Sequence, residues 1–247
     1  MGDEDSLAKY EQIAADLRLA IANGQYTDRL PGERVLAAQY GVAAMTVRQA
    51  LALLRSEGLA EARQGAGVFV KSFKPVRRHG IQRLARDRWA SGASIWSTDD
   101  ERENTVDQIN VQAVEATDSI ATALQLTPGD LVCRRSRRYV VEQRPVMLAT
   151  SFLPHAIVAG SAITQPNTGP GGILARLNDL GFPPVHHREE IRYGLASPND
   201  ATRLNLPAGS PILHLIRTSY TADRRPIEVN QMVLDATAFV LDYEFDA

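Results

Sequence analysis

At 247 residues and 44% hydrophobic, the chain is too long for one small module and has the length of two domains. Its lone cysteine, Cys133, excludes an intrachain disulfide and a Cys/His zinc cluster, as expected in a reducing cytoplasm, and no apolar run approaches the roughly 20 residues of a membrane helix. The start, Met1-Gly2-Asp3-Glu4-Asp5, is acidic and lacks an apolar signal core, so a cytoplasmic protein is expected.

The net charge of −2 hides an asymmetry: residues 6–91 carry fourteen Lys/Arg against seven Asp/Glu, and residues 92–247 carry thirteen against nineteen. A basic front on an acidic body suggests that the front meets a polyanion, although clustering of solvated charges gives the same count. Along that front, Tyr10, Ile13, Ala14, Leu17 and Ile21 repeat on one face of an amphipathic helix that stops at Asn23-Gly24. Pro31-Gly32 opens a second helix, Glu33 to Tyr40. A short turn, Gly41-Val42-Ala43, leads to a third helix from Ala44 to Glu57. There Val47, Ala50, Leu51 and Leu54 form the buried stripe, which leaves Arg48, Gln49, Ala52 and Arg55 outward. Two helices joined by a glycine-bearing turn are a helix-turn-helix, whose second helix reads the major groove.

A hairpin follows: Leu59 to Arg63, the turn Gln64-Gly65-Ala66-Gly67, and Val68 to Val70. Three helices and a hairpin make a winged helix. Gly65-Ala66-Gly67 is not a nucleotide loop, because neither Gly-Lys-Ser/Thr nor a helix follows it. Arg63 and Lys71 fit a phosphate-facing wing or plain solvated charge, and Tyr10 fits a core position or a phosphate contact.

Leu30-Pro31-Gly32-Glu33-Arg34, Thr46-Val47-Arg48-Gln49-Ala50-Leu51, Leu54-Arg55-Ser56-Glu57-Gly58-Leu59 and Gly65-Ala66-Gly67-Val68-Phe69-Val70 resemble successive blocks of the GntR winged helix. The resemblance implies DNA contacts by Arg34, Thr46, Arg48 and Gly65, with Tyr10, Gln49, Arg63 and Gln64 completing the expected DNA-binding set. Ala43-Ala44 replaces the family's usual Ser-Arg. That removes a helix N-cap worth about 1 kcal/mol and a base contact. Residues 1–74 are thus expected to form the DNA-binding domain. A basic linker follows at 75–100, with a short helix from Ile81 to Trp89 and arginines suited to phosphate contact or to a solvated hinge.

The remaining residues, 101–247, contain a duplication. Thr117 to Tyr139 aligns with Ser197 to Tyr220 about eighty residues on, with Ala121/Ala201, Thr122/Thr202, Leu124/Leu204, Leu126/Leu206, Gly129/Gly209 and Arg137/Arg217 as identical pairs. Each copy reads as a short helix, a Pro/Gly turn, a strand, a charged turn ending in Pro and a second strand. The second strands are Val146 to Phe152 and Ile227 to Leu234. The fold class is therefore α+β, an antiparallel sheet domain with flanking helices behind the winged helix. No nucleophile triad, metal-binding helix or phosphate loop appears, so no enzyme, metal or cofactor is expected. His186 and His187 are adjacent on a strand, point to opposite faces and cannot share a metal.

Arg137-Arg138-Tyr139 through Pro145-Val146, Thr150 to Pro154, and Arg217 to Val233 resemble the UTRA domain of HutC-type GntR regulators, whose fold is similar to chorismate lyase. Family members sense sugar phosphates, histidine-pathway acids and related metabolites. The resemblance makes Arg137 a ligand anchor and Glu228 a pocket-lining group. It places Gly172 at the start of a helix, Ile173 to Asp179, that offers NH groups to an anion. Tyr139 stands where a second anchoring arginine is usual, and Ala149 where a glutamate is usual. Glu189 and Asn230 complete the expected effector set, although Glu189 or Glu190 would serve equally as a plain ion-pair partner for a strand arginine. The implied protein is a homodimeric repressor on a palindromic operator in double-stranded DNA, released by a small anionic or polar effector. The alternative is a regulator whose C-terminal domain only dimerises.

Overall fold

The computed structural model describes residues 8–71, 73–80, 82–93, 96, 99, 102 and 104–245. The acidic start and Ile81, the expected first residue of the linker helix, lie outside the described residues. The chain divides into two compact units, Met1–Lys74 and Pro75–Ala247.

In the first unit α1 (Lys9–Ala22), α2 (Glu33–Tyr40) and α3 (Ala44–Ser56) precede an antiparallel hairpin of β1 (Ala60–Arg63) and β2 (Gly67–Val70). The apolar stripes meet in one core of Ile13, Ala14, Leu17, Leu36, Val47, Ala50, Leu51 and Leu54, closed by Leu30 and Ala60. Each buried Leu, Ile or Val there contributes roughly 1.5–3 kcal/mol. The turn between α2 and α3 needs Gly41, which takes φ +63 and donates its N–H to the Ala37 carbonyl. Arg18 on α1 clamps α3 through two hydrogen bonds to Glu57, of 3.1 and 2.6 Å. The hairpin is held from the side by Asp28 and Leu30: Leu30 N–H donates to the Val68 carbonyl at 2.9 Å, and Val70 N–H to the Asp28 carbonyl at 2.8 Å.

The second unit is built on six antiparallel strands. They are β4 (Asn104–Glu115), β5 (Leu131–Val141), β6 (Arg144–Pro154), β7 (His186–Leu195), β8 (Pro211–Tyr220) and β9 (Pro226–Asp235), in the order β4-β5-β6-β9-β8-β7. The duplicated hairpins, β5-β6 and β8-β9, join back to back through β6 and β9. Helices α5 (Asp118–Leu124) and α8 (Pro198–Leu204) introduce the copies, and both end on a left-handed residue at the same repeat position, Gln125 and Asn205. Val132 packs against α5, whereas its neighbour Cys133, on the opposite face, packs near α6 (His155–Val158), the Ile163 turn and α7 (Gly172–Asp179). Burial pushes the Cys133 thiol up, so it is an inert core group.

Residues 75–100, read from sequence as a linker, are instead part of this unit where they are described. Val76–His79 (β3) pairs in parallel with β10 (Phe239–Asp242). The expected helix is a 3-10 turn at Gln82–Leu84 followed by α4 (Arg86–Ala90), and Trp89 buries itself against Leu84, Leu174 and Ala175. A four-residue strand rich in arginine looks solvated in sequence because its pairing strand and its countercharges lie far along the chain.

Candidate DNA-reading face and effector cavity

Burial of one side of α3 defines the other: Ala44, Met45, Arg48, Gln49, Ala52, Arg55 and Ser56 are exposed, and Thr46 is half-buried. Ala43 occupies the N-cap without a side-chain hydrogen bond, which follows from the missing serine. Arg48 is not loose. Its Nε donates to Glu33 Oε2 at 2.8 Å, so the terminal guanidinium edge is left for an outside acceptor. Arg34 is exposed beside Glu33 on the first turn of α2. Tyr10 packs half-buried against the helical core, and its hydroxyl donates to Glu11 Oε1 at 3.2 Å, an interaction that raises the Tyr10 pKa.

At the hairpin tip Arg63, Gln64 and Gly65 are exposed, and Gly65 takes φ +71. Arg63 lies over the Phe69 ring, 4.2 Å from its centroid, and also pairs with Glu61 at 2.8 Å. Arg29 approaches the same ring at 5.7 Å and packs beside Gly67, where any Cβ would lie 3.0 Å from its guanidinium. Sequence reasoning missed Arg29 and the role of Glu33. An isolated arginine in an irregular segment and an acid at a helix start carry no spacing signal.

In the second unit a cavity of about 470 Å³ opens beside the sheet. Its floor presents Arg135, Arg137 and Tyr139 from β5, Arg217 from β8 and Glu228 from β9, and the 166–172 loop and the start of α7 close over it. Arg135 is spent on the loop, donating to the carbonyls of Ile163, Gln165 and Pro166. Arg137 is 9% exposed, and its partners are neutral: Nε donates to Tyr139 Oη at 2.8 Å, and both terminal nitrogens reach Ser151 Oγ at 3.2 Å. Burial depresses its pKa, but Tyr139 and Glu228 together hold it above the ordinary value. Glu228 is fully buried, accepting from Ser151 Oγ at 2.8 Å and Ser219 Oγ at 3.2 Å. Arg217, 3% exposed, has Glu228 3.6 Å away and no hydrogen-bond partner for its Nε. Tyr139 stacks on Trp96, with centroids 5.3 Å apart and planes within 9°.

Gly171 caps α7 with φ +75, because a Cβ there would sit 2.4 Å from the Trp89 carbonyl oxygen, and Gly172 follows at φ +66. The structure thus gathers four of the expected effector residues, Arg137, Tyr139, Gly172 and Glu228, around one cavity and adds Arg135 and Arg217. The Arg137/Arg217 repeat pair is the signal by which Arg217 was recoverable from sequence.

Glu189 and Asn230 stand apart from the cavity lining. Asn230 is buried between Ser151 and Arg217 in the sheet register. Glu189 faces Arg217 across the β7-β8 ladder but binds Arg78 of β3, with Oε2 accepting at 3.0 Å, and the Tyr243 hydroxyl at 2.8 Å. Burial pushes the Glu189 carboxyl up, and Arg78, with Arg217 and the Tyr243 hydroxyl, brings it below its ordinary value. A second buried pair, Arg83–Asp99 at 2.8 Å, lies in the same electrostatic neighbourhood, where burial and Arg78 push Arg83 down to about 10. Among the described residues no cluster of three His, Cys, Asp or Glu side chains is disposed to hold a metal, and no helix is long and apolar enough to cross a membrane.

Comparison with known proteins bears on both units. The profile of bacterial regulatory proteins of the gntR family matches residues 9–70, and that of the UTRA domain matches residues 101–240. Among relatives, an uncharacterised HTH-type transcriptional regulator of Rhizobium meliloti is 37% identical, covering 91% of this chain and 90% of its own. One from Streptomyces coelicolor is 30% identical over 96% and 92%, respectively. The HTH-type transcriptional repressor NagR of Bacillus subtilis is 26% identical over 85% and 84%. A crystal structure described as a putative GntR-family transcriptional regulator superposes with a TM-score of 0.61 at 25% identity, covering 98% of each chain. A winged helix ahead of a duplicated antiparallel sheet domain, with these relatives, makes the chain a transcriptional regulator, not an enzyme: it belongs to the GntR family and carries a UTRA domain.

Proposed function

We propose that the protein is a homodimeric, cytoplasmic repressor that binds a palindromic operator in double-stranded DNA and is released when an anionic metabolite fills the cavity over β5, β8 and β9. The observation that carries this reading is the charge imbalance of the cavity floor. Two buried guanidiniums of the lining, Arg137 and Arg217, share the one carboxylate of that lining, Glu228, while Arg135 adds a third positive charge whose donors are engaged by loop carbonyls. A buried guanidinium without an opposite charge is costly, and a carboxylate or phosphate offers the paired acceptors that its planar fork fits. At the start of α7 the Gly171 and Gly172 N–H groups are already donated to the Gly92 and Gly169 carbonyls, so only the N–H groups that follow them are left to add donors there.

The proposed signal leaves the cavity through neighbouring charges of the second unit. Arg217 is the ladder partner of Glu189, and Glu189 holds Arg78 on β3, close to the N-terminal end of that unit. An anion that draws Arg217 toward itself changes the field on Glu189 and the seat of β3. Linkage then requires the effector to bind the free protein more tightly than the operator-bound protein, by the factor it weakens DNA binding. The test is to select duplexes from a random pool, then titrate binding with and without phosphorylated sugars and small carboxylic acids. The expected result is a saturable rise in melting temperature and a parallel loss of DNA affinity with one anion class. Strong DNA binding indifferent to every anion that stabilises the protein refutes release. Absence of any stabilising anion favours the dimerisation-only alternative.

A further inference from the structure

We infer that α3 reads thymine methyl groups: Ala44, Met45 and Ala52 make apolar contacts in the major groove, beside hydrogen bonds from Arg48 and Gln49. This rests on the DNA-binding reading above and specifies its base chemistry. Of the seven exposed positions on α3, 44, 45, 48, 49, 52, 55 and 56, the first five lie within its nine N-terminal residues. Only two of the five carry hydrogen-bonding side chains. Scattered exposed apolar residues need no explanation. Here, however, they share the reading face, Met45 is 61% exposed, and Ala44 and Met45 open the helix, the end that meets base edges first.

Among major-groove edges only thymine offers an apolar group, its C5 methyl, whereas cytosine presents an amino donor that alanine and methionine cannot satisfy. Methionine's unbranched thioether adapts to the position of a methyl, and alanine's short side chain lets the helix come close. Arg48 adds a polar point whose Nε is engaged by Glu33 at 2.8 Å, which leaves its terminal nitrogens for a base edge.

The experiment takes the full-length protein and duplexes selected from a random pool, and replaces thymines one at a time by deoxyuridine, which removes the methyl and nothing else. Each contacted position should weaken binding about fourfold, the equivalent of one buried methyl-sized group. The same scan on Met45→Gln, Ala44→Ser and Ala52→Ser, each an exposed substitution whose fold is checked by circular dichroism, should lose that sensitivity at different single positions. Arg48→Ala should weaken binding yet keep the deoxyuridine effect. Bound duplexes insensitive to deoxyuridine at every position overturn this inference and leave DNA binding standing. A sensitivity that survives in all three apolar variants overturns it as well, because the methyl would then act through DNA shape. Failure to recover any duplex overturns the DNA-binding reading, and this inference with it.

Discussion

Replacing Glu228 by glutamine isolates the charge in the cavity floor. Glutamine keeps the volume of a fully buried side chain, and its amide can still satisfy the Ser151 and Ser219 hydroxyls, whose protons rotate freely. What disappears is the carboxylate that offsets Arg217, 3.6 Å away, and that also supports the charged form of Arg137. Removing one partner of a buried ion pair costs about 3–5 kcal/mol. Because the Arg217–Glu228 separation is a long 3.6 Å, the low end applies, about 3 kcal/mol. For a unit of this size each kcal/mol lowers the melting temperature by roughly 2–4 °C, so the expected fall is about 6–12 °C. The deficit is electrostatic, so an anion should offset it, and inorganic phosphate should raise the variant's melting temperature more than the wild type's. Calorimetry in a phosphate-free buffer, then with a phosphate titration, measures both quantities. A variant that melts with the wild type, or one whose loss phosphate leaves untouched, refutes the claim that the cavity holds uncompensated positive charge.

Arg48→Ala should cost about 1–3 kcal/mol of affinity for a selected duplex at matched salt, with fold and oligomeric state unchanged; superimposable binding curves exclude a base contact. Arg137→Ala should bind the same duplex near wild-type strength but fail to release it with an anion that releases wild type, read by mobility shift; normal release places the anchor elsewhere. His187 has its pKa lowered from 6.5 to about 4 by burial and by Arg217, with Glu228 and Glu189 opposing and His186 adding to the shift. The unfolded chain therefore binds more protons through that window, and stability should fall as pH drops from about 6.5 toward 4. His187→Asn, which can keep the contact to Ser219 Oγ, should flatten that part of a pH-stability curve, and an unchanged slope assigns the loss to other groups.

The winged helix was legible in the sequence because its signals are local. Apolar spacing at 13, 14, 17 and at 47, 50, 51, 54, the glycine at 41 and the Gly65/Gly67 turn act over a few residues and agree with one another. The duplicated hairpins were legible for the same reason, reinforced by repetition at one spacing, and that repetition places Arg137 and Arg217 at matching strand positions. The tertiary structure decided the long-range partnerships. Val76–His79 reads as a basic linker until Phe239–Asp242 lies alongside it, and Arg78 reads as solvated until Glu189, on another strand, takes its charge. Arg135 was indistinguishable from its neighbours Arg134 and Arg138, yet it turns inward to the 163–166 carbonyls while they pair with Gln112 and Asp107 at the sheet edge. Strand alternation assigns side chains to two faces, but it cannot say which face is covered, or which distant charge will be waiting there. That depends on strand register and on the loops packed above, which the chain settles only when its remote segments meet.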